Sequence, residues 1–175
     1  MARIVGYIAA SLDGFIADHN ESLDWLTERT DLDLGEHHYD LFINHIRTVV
    51  MGRNTYDWLA RQPMDWPYAA QRCIVVTSRP IPGPTGKIEV RNDIDALVAE
   101  LRALDDGDVW MVGGGQLQMA FMERGALDEI EVFVISHLLG GGVPLFPPTG
   151  FSRNLRLLSA KPLGAGCARL HYSFE

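Results

Sequence analysis

VWMVGGGQLQ, residues 109–118, runs an apolar stretch straight into three consecutive glycines. Glycine inside a regular element is disfavoured by roughly 0.5–1 kcal/mol relative to alanine, so Gly113, Gly114 and Gly115 need a physical reason. A strand that passes through glycines into a helix leaves unpaired backbone N–H groups at the positive end of the helix dipole. An anion settles there if no side chain holds it off. The other reading is a tight strand-to-helix turn packed against a neighbour. The spacing is not GxGxxG, because Gln118 stands at the final glycine position, and no Walker lysine–serine pair follows. Neither the dinucleotide Rossmann fingerprint nor a P-loop fits.

Outward from this stretch, strand and helix signals alternate. RIVGYIAA (3–10) reads as a buried first strand ended by Ser11-Leu12-Asp13-Gly14. Tyr39, Phe42, Ile43 and Ile46 fall at i, i+3, i+4 and i+7 and predict a helix over 35–47. Thr48–Met51 and 72–78 (RCIVVTS) are short apolar strands, the second stopped by Pro80, Pro82 and Pro84. Asn92 is a plausible N-cap for a helix whose apolar face is Ile94, Leu97, Val98 and Leu101. The strand 108–112 precedes the glycines, and a helix from about Gln116 to Arg124 follows, with Gly125 as its stop. EIEVFVIS (129–136) is a long strand. At the C-terminus Ala168, Leu170, Tyr172 and Phe174 alternate with Arg169, His171 and Ser173, one face toward a core and one toward solvent or a partner. Strand–helix units followed by strands alone predict an α/β chain with a mostly parallel sheet and antiparallel strands added last. No repeat or linker divides residues 1–175, so one domain is expected.

Composition narrows the function. Of 175 residues, 47% are hydrophobic and 22% charged, as in a soluble enzyme. No apolar run is long enough to span a bilayer, and the N-terminal stretch alternates like a strand instead of reading as a signal peptide, so a cytoplasmic protein is expected. A net charge of −8 disfavours nucleic acid as a partner. Cys73 and Cys167 lie far apart with no ligand spacing around them, which predicts buried free thiols and no metal site.

Two further strand ends carry phosphate-type groups. Met51-Gly52-Arg53-Asn54-Thr55 repeats the pattern of strand, glycine and helix start, with Arg53 able to fork onto a phosphate and Thr55 to donate a hydroxyl. Thr77-Ser78-Arg79 places two hydroxyls and a guanidinium at the end of another strand. Ligands of open α/β sheets bind at the carboxyl ends of strands, so the joint pattern says more than any one member.

These motifs make the chain resemble the dihydrofolate reductase superfamily. The nearest pattern is the reductase domain at the C-terminus of the bifunctional riboflavin-biosynthesis deaminase-reductase. ASLDGFIA (10–17), VVMGRNTYD (49–57), IVVTSRP (74–80), VWMVGGGQL (109–117) and LLGGGVPLFP (138–147) occur in that family's order across nearly the whole chain. The resemblance implies a dihydrofolate reductase-like three-layer fold, with flanking helices on a mostly parallel central sheet. It also implies an NADPH-dependent oxidoreductase with the cofactor across the strand ends. On that resemblance Gly52, Arg53 and Thr55 meet the pyrophosphate, and Thr77, Ser78 and Arg79 the 2′-phosphate. Val112, Gly113, Gly114, Gly115, Gln116 and Leu117 meet the pyrophosphate and nicotinamide side, and Ala10 and Ile16 the nicotinamide. A 2′-phosphate brings about −1.5 to −2 charges, which suits a Ser-Arg pair and favours NADPH over NADH.

For the substrate, the resemblance places Glu36 as a pocket carboxylate that supplies or relays a proton, Ser136 as its hydroxyl partner, and Asp24 and Trp25 in the substrate-side loop. Glu36 also reads as a plain helix-start acid, Trp25 as a core anchor, and Asp13 as a turn residue. Gln71-Arg72 and Gln118 depart from the dihydrofolate pattern. The LLGGGVPLF stretch points instead to a heterocyclic or ribosylaminopyrimidine-like substrate, as for 5-amino-6-(5-phosphoribosylamino)uracil reductase. The riboflavin-type domain carries an acidic residue where this chain has Gly113, and no deaminase zinc motif is present. The remaining alternatives are a dihydrofolate reductase and a non-catalytic NADPH-binding module. The apolar strand 130–135, the alternating last strand and the apolar loop 143–147 lead to the expectation of a homodimer.

Overall fold

A computed structural model describes residues 1–174. In chain order it contains β1 (Ile4–Ser11), β2 (Phe15–Ala17), α1 (Asp24–Thr27), α2 (Tyr39–Ile43), β3 (Ile46–Gly52) and α3 (Arg53–Ala60). Then come β4 (Arg72–Val76), β5 (Ile88–Arg91), α4 (Ile94–Arg102), β6 (Asp108–Gly113), α5 (Gly115–Glu123) and β7 (Glu129–Ile135). The last are β8 (Val143–Pro144), β9 (Arg156–Leu163) and β10 (Cys167–Ser173). Eight strands form one sheet in the order β5-β4-β3-β6-β1-β7-β10-β9. Pairing is parallel from β5 through β7, and β10 runs antiparallel to both β7 and β9. This is the mostly parallel sheet with antiparallel C-terminal strands that the sequence predicts.

Strands covered on both faces must be apolar at every position, and successive residues supply opposite layers. Val50, Ile74 and Met111 face Leu97 and Leu101 of α4 and Phe121 and Met122 of α5. Their neighbours Val49, Met51, Cys73, Val75 and Trp110 face Tyr56 of α3 and Tyr39, Phe42 and Ile43 of α2. Both cysteines are free and buried.

Three elements differ from the sequence reading. The helix expected over 35–47 is a 3-10 turn at Gly35–His37 followed by the five-residue α2. Ile46, which completed its periodicity, instead opens β3 and is 1% exposed. The period was real for Tyr39, Phe42 and Ile43, and the next strand supplied an apolar residue at the i+7 spacing by coincidence. The N-cap of α4 is Asp93, whose carboxylate accepts from Ala96 N at 3.0 Å, and not Asn92. Residues 156–163 carried no strand signal, yet form β9.

The polar face of β10 does not meet open solvent. Arg169 is 5% exposed, and its guanidinium donates to Glu131 of β7 at 2.5 Å and to Ser159 of β9 at 2.8 Å. His171 Nε2 lies 3.0 Å from Glu129. A ladder of charge-assisted contacts across β7, β10 and β9 therefore stands in for a helix on this face. Of the surfaces that suggested a dimer, Ile130, Phe133 and Ile135 are each 1% exposed and Leu145 is 3% exposed, whereas Phe146 of the 143–147 loop stays 46% exposed. The sheet ends in β5 on one side and β9 on the other, and on β9 Leu157 and Leu158 are exposed.

Candidate cofactor and substrate cleft

A cleft of about 1080 Å³ opens at the carboxyl ends of β3 and β6, larger than a drug-sized ligand needs. Two helices begin on it. The N-cap of α3 is Gly52 and that of α5 is Gly114, and neither has a side-chain cap. Serine, threonine, aspartate or asparagine there would turn a side-chain oxygen onto the first-turn N–H groups. Glycine leaves those donors and both dipole ends open to a ligand. The two starts adjoin: a β-carbon on Gly52 would lie 3.8 Å from Gly113 O and 3.9 Å from Gly114 N.

The three glycines serve three purposes. Gly113 is buried and holds φ +121°, a region L side chains rarely adopt. A β-carbon on Gly114 would meet only Thr55 Oγ1, at 3.7 Å, so it would project into the cleft. On Gly115 it would strike Pro144 O at 2.7 Å and Leu145 O at 2.9 Å. Gly114 and Gly52 thus keep the space a pyrophosphate would fill, whereas Gly115 is the tight-packing alternative. Thr55, Val112, Gln116 and Leu117 also line the cleft, as does Ile16.

Arg53 is already engaged. Its Nε donates to both Asp57 carboxylate oxygens at 2.8 and 2.9 Å, and Nη1 to the carbonyl oxygens of Arg79 and Pro80 at 3.4 and 3.1 Å. It ties the 77–80 loop to the start of α3 and leaves Nη2 for a phosphate. Thr77 is 9% exposed, and its hydroxyl accepts from Arg79 N at 3.1 Å, so it shapes the loop. Ser78 and Arg79 are exposed, and among the described residues the Arg79 guanidinium has no partner. These three lie beyond Val76, the last residue of β4 on the cleft. Ala10 is 2% exposed within the core, and Ile8 and Ala9 take the lining position expected of it.

A small flap borders the cleft. β2 pairs with β8, and Gly14 O accepts from Leu145 N at 2.9 Å. Asp13 fastens it by accepting from Gly140 N at 2.7 Å, Leu139 N at 3.1 Å and the Ser11 hydroxyl at 2.6 Å. The Ser11 hydroxyl bond, with the two backbone donors behind it, lowers the Asp13 pKa to about 2. The LLGGGVP stretch is a latch: Gly142 holds φ +128°, and a β-carbon on it would run into Ala17 O.

The proposed substrate residues are not brought together. Glu36 is 71% exposed and bonded to Lys161 Nζ at 2.8 Å, and that bond holds its pKa below the usual carboxylate range. It borders a separate pocket of about 260 Å³ with Arg3, His37 and Glu129. The 3-10 turn aims it at β9, a strand the sequence reading missed. Ser136 is exposed and makes no contact with Glu36 among the described residues; its N–H donates to Gly166 O at 3.0 Å. Asp24 is exposed at the start of α1. Trp25 packs on Phe133, Ile135 and Cys167 as a core anchor, outside the cleft lining. Leu26, Leu34, Tyr39, Tyr68, Trp110 and Phe133 line this end of the cleft instead. Phe133 and Trp110 read only as core strand residues in the sequence. The exposure of one edge of each to a cavity leaves no trace in periodicity.

Comparison with known proteins agrees with this architecture. The model of the RibD C-terminal domain family matches residues 3–168. The uncharacterized protein YwjB of Bacillus subtilis (strain 168) is 34% identical over 171 residues, covering 97% of each chain. A crystal structure of a protein assigned to riboflavin biosynthesis in Shewanella sp. PV-4 superposes with TM-score 0.84 at 28% identity, covering 99% of this chain and 98% of that one. Dihydrofolate reductase from Enterococcus faecalis, complexed with NADP(H), shares the fold at TM-score 0.65 and 19% identity, covering 98% and 95%. A sheet that ends in two uncapped glycine helix starts, matched over nearly its full length, makes this chain a member of the RibD C-terminal domain family.

Proposed function

We propose that the protein is an NADPH-dependent reductase of small planar heterocycles, the ribosylaminopyrimidine type included. The observation that carries this reading is the pair of uncapped helix starts, Gly52 and Gly114, open to one cleft at the strand ends. The residues fit a dinucleotide. First-turn N–H groups of α3 and α5, with Thr55, would hold the pyrophosphate, and Ser78 and Arg79 the 2′-phosphate. Bound there, a reduced nicotinamide supplies a hydride to an electrophilic ring carbon of the substrate. The chain's own part is to hold both rings in one cleft and to keep water away through the Asp13-latched flap. The Enterococcus enzyme of the same fold, complexed with NADP(H), supports the cofactor class.

Titration with NADPH, followed by an oxidation assay across pteridine, folate and ribosylaminopyrimidine substrates, tests this. Tight binding with oxidation by at least one heterocycle supports it, and no NADPH binding overturns it. A non-catalytic NADPH-binding module is the second reading, favoured by the position of Glu36 outside the cleft. Binding without turnover by any candidate selects it. A dihydrofolate reductase is disfavoured by the same displacement.

The chain is also proposed to act as a homodimer joined at β9, whose unpaired edge carries the exposed Leu157 and Leu158. Sedimentation at micromolar concentration tests it: a dimer that Leu157→Glu dissociates supports the edge, and a wild-type monomer removes the proposal. Within the described residues, no helix is long and apolar enough to cross a membrane.

A further inference from the structure

The cleft has two chemically different ends. One is the donor-rich pair of helix starts. At the other, Leu26 and Leu34 pack with Phe133, while Tyr39 and Tyr68 meet Trp110 with ring centroids 5.8 and 5.7 Å apart. Charge is scarce there. Among the described residues, the lining side chains that are charged or basic are Glu21, His38 and Arg53. Arg53 belongs to the helix-start end and is held by Asp57. Glu21 is exposed on the loop after β2. His38 is exposed too, with its Nδ1 accepting from Asp40 N at 3.4 Å and 3.5 Å from the Asp40 carboxylate. Arg72 of β4 lies outside the cleft lining and is tied to Glu89 of β5 and Glu100 of α4.

A phosphate or glutamyl carboxylate placed against these walls would lose its hydration and find no cation in return. A neutral ring meets the opposite conditions. Aromatic faces offer stacking, and two polar handles remain. Among the described residues, neither the Tyr39 nor the Tyr68 hydroxyl has a hydrogen-bond partner, and both side chains line the cleft. Burial raises the pKa of both phenols, so each stays protonated and can donate as well as accept.

We propose that this end of the cleft takes an uncharged planar heteroaromatic carbonyl or imine without a phosphate or glutamyl tail, sandwiched by the leucine and aromatic walls and hydrogen-bonded by Tyr39 and Tyr68. That this ligand is a substrate rests on the reductase reading; the ligand class rests on the cleft alone.

Calorimetric titration of the protein, alone and saturated with NADP+, tests this with two matched pairs: 6-methylpterin against folate, and riboflavin against riboflavin 5′-phosphate. The neutral member of each pair binds at least tenfold more tightly. Tyr68→Phe weakens 6-methylpterin about three- to tenfold, the span of one lost hydrogen bond, and leaves NADP+ affinity unchanged. Tyr39→Phe repeats the test if Tyr68→Phe fails to fold. Equal or tighter binding of the anionic members overturns the proposal, as does the absence of binding by both neutral probes. If NADP+ fails to bind while the neutral probes do, the reductase reading falls and the ligand class stands. If NADP+ binds and the anionic probes win, the reverse holds.

Discussion

At Gly114 a β-carbon would meet nothing but the Thr55 hydroxyl, so a substitution there tests the ligand, not the fold. Gly114→Val fills the space proposed for the pyrophosphate that NADPH and NADH share. It should weaken both by tenfold or more while its melting temperature stays within a few degrees of the parent. One residue on, Gly115→Ala presses a methyl onto the carbonyl oxygens of Pro144 and Leu145, and overpacking of this kind costs about 1–3 kcal/mol of stability. Normal cofactor binding by Gly114→Val would reduce both glycines to turn residues. Arg79 tests the other end of the cofactor. Its guanidinium is exposed and unpartnered among the described residues, so its loss leaves no protein group unsatisfied. Arg79→Ala should weaken NADPH by about 1.5–3 kcal/mol, the scale of a charge-assisted hydrogen bond, and leave NADH unchanged. Equal losses for both cofactors would assign the arginine to something other than the 2′-phosphate.

Secondary elements divide by how strongly their surroundings write themselves into the residues. The central strands are sandwiched between helices, so runs such as RCIVV and DVWMV announce them. The helix-start end of the cleft was equally legible, because glycine at two helix starts withholds the capping side chain and leaves the first-turn N–H groups and the space before them open. β9 is the opposite case. RLLSAKPL is exposed along most of its length, carries Pro162 and lies at the sheet edge, where no burial enforces alternation and proline is tolerated. β9 also holds Glu36 away from the cleft, through its partner Lys161. Caps are local and testable. Asp93 accepts from Ala96 N, whereas the sequence offered Asn92 just as plausibly. Asp93→Ala should cost about 1 kcal/mol in urea unfolding and Asn92→Ala much less, with NADPH affinity the same in both. A larger loss from Asn92 would move the cap.

Across the whole molecule, carboxylates hold the outer parts of the fold to the sheet, and acid should release them over one shared range. The Arg72 guanidinium, with Arg91 behind it, draws the Glu89 pKa down to about 2 from its ordinary 4.5. Arg91 and then Arg72 lower that of Glu100. These four side chains join β4 and β5 to α4. Asp13, also near 2, latches the flap from the far side of the cleft. A folded pKa below the unfolded one means that the unfolded chain binds protons first. The stabilisation is therefore complete above about pH 4.5 and is lost as the pH falls toward 2. The carboxylates are exposed to varying degrees, so solvent screening keeps each contribution modest and the sum gradual. The urea midpoint should stay level from about pH 7 to 5 and then decline toward pH 2.5. Glu89→Gln should flatten part of that decline, because it removes a titrating group while keeping the side chain's shape. Asp13→Asn should act differently. It leaves the arginine–glutamate network intact and loosens only the flap, so NADPH should dissociate faster at neutral pH with little change in the urea midpoint. A midpoint independent of pH between 5 and 2.5 would remove the arginine–glutamate network from the account of stability. Unchanged NADPH dissociation in Asp13→Asn would mean that the flap stays closed without its latch.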